Sequence, residues 1–374
     1  MKRYVPILLI LGVMVLVIAA LFRLTGSSGG VEPGADDDSD TLSEPAVVRV
    51  ISPHNEGILI EFKQRFDLWH RERFGTPCEL VWEDRGGASN NVQFIRGQFK
   101  NSPDGINVDV FWGGGAPYFM DLAAAGLLEP YRLPEDMLAQ LPEKLSGVPV
   151  YDPGHRWYGT AMSSFGILYN RKQLDKMGIE PPQTWADLGS PDYLNEIAAA
   201  DPRASGSAYA MIEIVLQAYG WEKGFEVLAR MAANTKKFEN AASAVIEDVA
   251  RRDVAAGLAI DFYAASAIKE EGGELLGFTL PAGLTPITPD PIALLKGAPN
   301  PVEARRFIEF VMSPAGQKLW ILPPGVEGGP AEFELLRIPA RPDVFKMYAA
   351  QSTAGYTPDL FESGHLWLLE HVVG

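Results

Sequence analysis

Apolar runs of strand length alternate with stretches of helical spacing through the first third of the chain. One helix face is indicated by the spacing of Ile58, Phe62 and Phe66. The strands that the pattern predicts on either side of it and beyond cover residues 47–51, 78–82 and 107–112. A strand, a loop and a helix that recur three times predict a parallel α/β sheet.

The middle of the chain continues this alternation. We expect two short strands at residues 157–160 and 165–170, and helices at 208–219 and 224–233. A further strand, residues 258–260, ends on Asp261, Phe262 and Tyr263. Open α/β sheets bind ligands beyond the carboxyl ends of their strands, so these side chains are candidates for a binding site. The alternative is a buried strand whose aromatic residues only pack.

The N-terminus has the pattern of a targeting segment. Lys2 and Arg3 precede an apolar run over residues 5–22. Such a run exceeds the ~7–15 apolar residues of a typical cleaved signal and approaches the ~20 of a spanning helix. We expect either an uncleaved anchor or a cleaved signal, with the rest of the chain outside the cytoplasm. Residues 25–45, rich in Gly, Ser and Asp, are expected to form a flexible tether.

Composition excludes several classes of partner and site. The net charge is −16 and Lys and Arg form no stripe, so we expect no nucleic-acid partner. The single cysteine, Cys78, allows neither an intrachain disulfide nor a cysteine zinc site, and we expect it to pack as a core residue. The five histidines show no metalloprotease spacing.

Loops rich in Gly, Ser and Asn follow the first three predicted strands and precede helices. The free N–H groups of helix N-termini bind anions without a cationic side chain. The same residue types also cap helices in the absence of any ligand. Both interpretations remain open for these loops.

A family resemblance rests on phrases that are spread through residues 47–320. They are Ser52-Pro53-His54, Gly86-Gly87-Ala88-Ser89, Asp109-Val110-Phe111-Trp112-Gly113-Gly114, Gly126-Leu127-Leu128-Glu129-Pro130-Tyr131, Tyr169-Asn170, Pro182-Gln183-Thr184-Trp185-Ala186-Asp187-Leu188, Asp201-Pro202, Ala255-Ala256-Gly257, Asp261-Phe262-Tyr263 and Ser313-Pro314-Ala315-Gly316-Gln317. In order and spacing the chain resembles extracytoplasmic solute-binding proteins of ABC importers, in the group that binds ferric iron or organophosphates.

The resemblance implies an α/β, two-lobed periplasmic-binding-protein-like (type II) fold, with central β-sheets flanked by helices and a hinge between lobes. It also implies a monomeric, non-enzymatic receptor without a cofactor, which closes on a small solute and delivers it to an ABC permease. The expected division is 1–24 for the membrane segment, 25–45 for the tether, 46–155 and 286–330 for lobe 1, 156–285 for lobe 2, and 331–374 for a C-terminal helical segment.

The ligand is expected to be an anionic or polar solute such as a phosphate ester or phosphonate. Hydroxyl and amide groups and helix N-termini would bind it. The candidate residues are Ser52, His54, Asn55, Gly87, Ala88, Ser89, Gly114, Ser163, Ser164, Ser205, Ser207, Asn240, Ser243, Asp261 and Tyr263. For each serine, helix capping or turn formation is the competing role.

Ferric iron as the transported ligand is the alternative. Ferric-binding members of the group have two adjacent tyrosines where this chain has Phe262 and Tyr263, and ferric iron prefers anionic oxygen ligands. A reduced site would use His54, Glu83 and Tyr263. Two further alternatives are a membrane-anchored sensor and a hydrolase. The hydrolase would use Asp84 and His54 with Ser52 or Ser89.

Overall fold

The computed structural model describes residues 46–145 and 148–353 of the chain. Its strands are β1 (Ala46–Ile51), β2 (Cys78–Glu83), β3 (Val110–Trp112), β4 (Lys144–Leu145), β5 (Val148–Pro149), β6 (Tyr158–Asn170), β7 (Ile197–Ala200), β8 (Thr235–Glu239), β9 (Ala256–Ile260), β10 (Leu276–Thr279), β11 (Ile287–Leu294) and β12 (Ile338–Pro339). Its α-helices are α1 (Glu56–Phe74), α2 (Ala88–Asn101), α3 (Ala116–Ala124), α4 (Glu135–Leu138), α5 (Arg171–Met177), α6 (Gly206–Tyr219), α7 (Trp221–Asn234), α8 (Ala242–Ala250), α9 (Asp261–Glu271), α10 (Pro301–Met312), α11 (Pro314–Ile321) and α12 (Pro342–Tyr348).

One long mixed sheet runs through the molecule in the order β2-β1-β3-β11-β6-β9-β7-β8, with β10 and β12 also paired to β6. The neighbours of β1 are parallel to it, as are the neighbours of β7. The pairs that include β6 or β11 are antiparallel. The α/β class expected from the sequence is confirmed, although the sheet is mixed where a purely parallel one was predicted.

Strand β6 divides the sheet into two halves. Its residues up to Ser164 pair with β11 and β12, and its residues from Phe165 onward pair with β9 and β10. We call the strands β1, β2, β3, β11 and β12 with their helices the first half, and β7 to β10 with theirs the second half. The two separate strands predicted at 157–160 and 165–170 are wrong: residues 161–164 are buried and contain no Gly or Pro, so the strand continues.

The chain crosses between the halves twice. The first crossing lies within β6, and the second lies between Thr279 at the end of β10 and Ile287 at the start of β11. The lobe boundaries proposed from the sequence, at residues 155/156 and 285/286, stay predictions.

Aromatic side chains fill the core of the first half. Phe62 of α1 lies between Trp112 of β3 and Trp320 of α11, with ring centroids 4.8 and 4.5 Å away. Phe66, one turn further along α1, packs edge-on against Phe307 of α10 at 5.1 Å. Helix α1 begins where the Asn55 side chain accepts a hydrogen bond from the Ile58 N–H. The predicted helix face therefore fixes α1 against the sheet.

The second half has a smaller aliphatic core and one buried tryptophan. Gly257 of β9 lets α8 approach closely, because a methyl group there would lie 2.5 Å from a methyl of Val245. Trp185 is fully buried, and its indole N–H donates to the carbonyl of Leu284, 2.8 Å away. The strand expected at residues 258–260 is confirmed as the end of β9.

The C-terminal part is described up to residue 353 and is only partly helical. Residues 338–339 extend as β12 along β6, and α12 follows. The remainder of the segment 331–374, like the N-terminal segments 1–24 and 25–45, lies outside the described residues. None of the helices within 46–145 and 148–353 is long and apolar enough to span a membrane. Cys78 is buried, as expected, and burial raises the pKa of its thiol to about 12.

Candidate functional site

The candidate site lies where β6 changes its partners from β11 and β12 to β9 and β10, between Ser164 and Phe165. Ser52 follows β1 and Gly114 follows β3, and these two strands are parallel neighbours whose carboxyl ends share one edge. Ser163 and Ser164 lie in β6 beside the change. Asp261 begins α9 directly after β9. The predicted candidates Ser52, Gly114, Ser163, Ser164 and Asp261 are thus brought to neighbouring positions.

A buried network of charged groups occupies the first-half side of this region. Arg337, which precedes β12, donates through Nη1 to Asp290 Oδ2 at 2.7 Å. His54 Nε2 lies 2.8 Å from the same oxygen. The other oxygen of Asp290 accepts the backbone N–H of Gly114 at 2.9 Å. The loop after β3 is therefore fixed by the same carboxylate that holds Arg337 and His54.

The charge states of the network follow from burial and pairing. Burial disfavours a charged Asp290, but the Arg337 guanidinium and His54 outweigh it and hold the pKa of Asp290 well below its ordinary value. Burial lowers the pKa of His54, and the nearby Asp290 offsets this only in part. The neutral imidazole fits its contacts, since Nε2–H can donate to Asp290 while Nδ1 accepts the Ser52 hydroxyl at 3.0 Å.

Arg337 is the central cation of the site and is only 1 % exposed. Its Nη2 donates to Ser163 Oγ at 2.8 Å, and its guanidinium lies 4.4 Å from the ring centre of Phe262 and 5.0 Å from that of Trp320. Within the part of the chain that the structure describes, its buried Nε has no hydrogen-bond partner. A buried donor without an acceptor is costly, so this N–H lacks the partner that folded proteins normally supply.

A second buried carboxylate lies on the second-half side. Asp261 accepts hydrogen bonds from the Ser164 N–H and hydroxyl, both at 2.9 Å, and from the Phe262 N–H at 2.8 Å. Burial raises its pKa to about 6, against the opposing effect of these donors and of Arg337. Burial also raises the pKa of Tyr263, and the charges of Arg337 and Asp290 act on this phenol. The Tyr263 ring lies 4.4 Å from that of Phe262, the residue on which Arg337 stacks.

Three helix N-termini meet around the Gly114 loop, whose N–H is bound by Asp290. Helices α2, α3 and α6 begin after Gly87, Gly115 and Ser205. A methyl group on Gly87 would lie 2.6 Å from the carbonyl oxygen of Ala204, and one on Gly206 would lie 2.9 Å from both Ala88 Cβ and the carbonyl oxygen of Gly114. Loops from the two halves thus touch, and these contacts require residues without a side chain.

The predicted serines in these loops are paired with each other or with tyrosine. Ser89 Oγ lies 2.5 Å from the hydroxyl of Tyr118, whose pKa is raised by burial. Ser205 Oγ lies 3.0 Å from Ser207 Oγ and also accepts the N–H of Ala208, which caps α6. The Tyr118 ring lies 6.0 Å from that of Tyr209 across the two halves. The Ser205 hydroxyl therefore both caps α6 and contacts the hydroxyl of Ser207.

Four of the predicted residues make no hydrogen bond with the network of Arg337, Asp290 and His54 among the described residues. Asn240 and Ser243 are exposed beside the start of α8, and Asn55 is used as the cap of α1. Glu83 pairs with Arg85 at 2.5 Å. Their roles in ligand binding stay predictions. Among the described residues, no group of three or more His, Cys, Asp or Glu side chains is arranged to hold a metal ion.

The triad considered for a hydrolase is not assembled as predicted. Ser52 and His54 are in contact, but the carboxylate at His54 is Asp290. Asp84 instead accepts the N–H groups of Gly86 and Gly87 at 3.2 and 3.1 Å. Asp84 thus serves the turn before α2.

Three residues of the site were not predicted from the sequence: Arg337, Asp290 and Tyr118. The first two carried a usable signal, because each is a single charged residue inside an apolar run that reads as a strand: Leu335-Leu336-Arg337-Ile338 and Pro289-Asp290-Pro291-Ile292. A charge at such a position is buried only when it is paired or functional. Tyr118 carried no signal that distinguishes it from other helical aromatics.

Comparisons with known proteins identify the family of the chain. The family model described as bacterial extracellular solute-binding protein matches residues 106–322, more than half of the chain. The phosphoglycerate transport regulatory protein PgtC of Salmonella typhimurium is 30% identical over 159 residues, which cover 42% of this chain and 39% of PgtC. The major ferric iron-binding protein of Neisseria meningitidis is 25% identical over 237 residues, which cover 60% of this chain and 66% of that protein.

A solved structure shows the same fold. The periplasmic binding protein AfuA from Actinobacillus pleuropneumoniae, with fructose-6-phosphate bound, superimposes with a TM-score of 0.67 at 23% identity, covering 80% of this chain and 86% of AfuA. The chain therefore belongs to the bacterial extracellular solute-binding protein family. It has the two-lobed α/β fold of periplasmic binding proteins and is a solute-binding protein of the ABC-import type.

Proposed function

We propose that the protein captures a small organic anion, a phosphate ester or phosphonate, between the two halves and delivers it to an ABC permease in the membrane. The observation that carries the proposal is Arg337, a buried guanidinium whose Nε has no partner among the described residues. A phosphoryl oxygen would supply the missing acceptor in a charge-assisted hydrogen bond.

Two further features support an anionic guest. The N-termini of α2, α3 and α6 bring free N–H groups and partial positive charge to one place. Arg337 and Asp290 neutralise each other, so a guest anion meets helix ends and donors without a net opposing charge from that pair. Asp261 would accept a hydrogen bond from a hydroxyl group on the carbon skeleton of the solute.

Ferric iron is the second candidate, since one relative is named for it. Asp261 and Tyr263 offer oxygen ligands of the kind that ferric iron prefers. The buried Arg337 guanidinium argues against ferric iron. Its Nη1 atom lies 3.3 Å from His54 Nε2 and 2.7 Å from Asp290 Oδ2. A metal cation bound at His54 Nε2 would displace the hydrogen bond between His54 and Asp290 and would lie at short range from the guanidinium.

The name of PgtC refers to a phosphorylated three-carbon acid, and AfuA holds a sugar phosphate, which agrees with the preference for phosphate esters. We further propose that the protein acts outside the cytoplasm as a receptor without catalytic activity, attached to the membrane by its N-terminal segment or released by cleavage.

Thermal unfolding of the full chain tests the proposed ligand class. The probes are 3-phosphoglycerate and fructose-6-phosphate, each paired with its unphosphorylated parent, and ferric citrate. A ligand at 100 times its Kd stabilises the folded state by about 2.7 kcal/mol, so a phosphate ester should raise Tm by several degrees and its parent should not. A shift with ferric citrate alone would overturn the proposal.

A further inference from the structure

A segment of the first half that contacts the second half carries Arg337 into the site. We call residues 329–339, which lie between α11 and the end of β12, the strap. Its last two residues pair with β6 at Met162 and Ala161. The Arg337 N–H donates to the carbonyl of Trp320, 2.8 Å away. The C-terminal end of the strap is thus part of the first half.

The N-terminal end of the strap is held by α1. Glu61 is fully buried, and its carboxylate accepts the successive N–H groups of residues 331–333 at 2.6, 2.7 and 2.7 Å. Arg65, one turn away, donates to the carbonyl oxygen of Gly329 at 2.9 Å. Consecutive N–H groups directed at one carboxylate form a strong anion-binding arrangement. Both ends of the strap are therefore anchored to the first half.

Between these anchors the strap contacts the second half. Lys269, in the last turn of α9, forms an ion pair with Glu334. The Glu334 side chain is 7 % exposed and also accepts a hydrogen bond from the Thr353 hydroxyl. Three residues further along, Arg337 stacks on Phe262, in the first turn of the same helix. Helix α9 and the strap therefore meet twice, once at the site and once at Lys269.

We propose that the Lys269–Glu334 ion pair is a closure contact: it stabilises the arrangement in which the halves touch, and so sets ligand affinity without contacting the ligand. The proposal rests on the proposed function in that closure is what captures the solute. The cleft loops are already in contact in this arrangement, at Gly87 and Ala204. A contact that favours only the closed state raises its population and lowers the apparent Kd in proportion.

The test measures closure directly, as the distance between labels on the two halves. In the full chain with Cys78→Ala, Gln98→Cys in α2 and Ala229→Cys in α7 place spin labels on exposed sites of the two halves. Interspin distances are measured with and without fructose-6-phosphate. We expect Glu334→Gln or Lys269→Gln to shift the distribution toward longer distances, and the swap Lys269→Glu with Glu334→Lys to restore it.

Glu247→Gln, which breaks an exposed pair with Arg251 at the C-terminal end of α8, is the matched control and should leave the distances unchanged. We expect the single variants to weaken binding of a phosphate ester about three- to tenfold, in the lower part of the range of coupling between contacting residues, because the Lys269 side chain is half exposed. Distances unaffected by Glu334→Gln, or no recovery in the swap, would each overturn the proposal. Absence of phosphate-ester binding would contradict the proposed function alone, since the distances report closure separately.

Discussion

The two halves each bring one buried carboxylate to the same site, and the two carboxylates behave in opposite ways. Asp290, in the first half, is paired with Arg337 and His54, and its pKa is held below the ordinary value. Asp261, in the second half, has only neutral donors as direct partners, and burial raises its pKa to about 6. The comparison shows that hydrogen bonds from neutral groups only partly offset the rise in pKa caused by burial. A directly paired cation, by contrast, lowers the pKa below its ordinary value.

The largest expected effect comes from removing that cation. Arg337→Met leaves Asp290 buried without its cation, which should cost about 3–5 kcal/mol of folding stability in urea unfolding. Phosphate-ester binding should fall at least 100-fold. Arg341→Met is the matched control, because Arg341 is also buried and paired, with Asp343, but lies outside the site. Binding that survives in Arg337→Met as well as in the control would contradict the role of this guanidinium.

The second prediction concerns pH. The pKa of Asp261 is raised above the unfolded value of about 3.9, so the stability it contributes is full below pH ~4 and is lost as pH rises through 6. Relative to the wild type, Asp261→Asn should therefore gain about 3 kcal/mol between pH 4 and pH 7.5 in urea unfolding. The lowered pKa of Asp290 implies the opposite: its contribution is present above pH ~4 and is lost below it. Parallel stability curves for Asp261→Asn and wild type would refute the assignment.

A smaller effect is expected where the halves touch. Gly206→Ala adds a methyl group 2.9 Å from Ala88 Cβ and the Gly114 carbonyl oxygen, which should oppose closure and weaken ligand binding about tenfold, with little change in stability. Gly97→Ala, inside α2 where an added methyl group meets nothing within 4 Å, should leave the affinity unchanged. Equal affinities in calorimetric titration of the two variants would show that the contact at Gly206 is not made on closure.

The fold could be predicted further than the site. Local pattern is enough to find α1, which buries one regular face, and the ends of β1 and β9, which are short apolar runs followed by polar residues. It could not show that residues 158–170 form one strand shared by both halves, because burial of every residue leaves no alternation to count. That strand sets where the two halves of the sheet meet.

At the site, residues at strand ends were predictable and their partners were not. Ser52 and Asp261 follow apolar strands, a position that marks them locally. Arg337 lies 283 positions from His54 in the sequence, and long-range contacts such as the pairing of β12 with β6 bring them together. Contacts of that separation depend on topology, which a single sequence does not encode in any local pattern.

The central claim is that the Arg337 guanidinium is directed at the anionic group of the solute. A crystal structure of the protein with fructose-6-phosphate or 3-phosphoglycerate tests it most directly. We predict a phosphoryl oxygen within hydrogen-bonding distance of Arg337 Nε, near the N-termini of α2, α3 and α6. A ligand bound elsewhere, or ferric iron held by Tyr263 and Asp261 with Arg337 turned away, would contradict it.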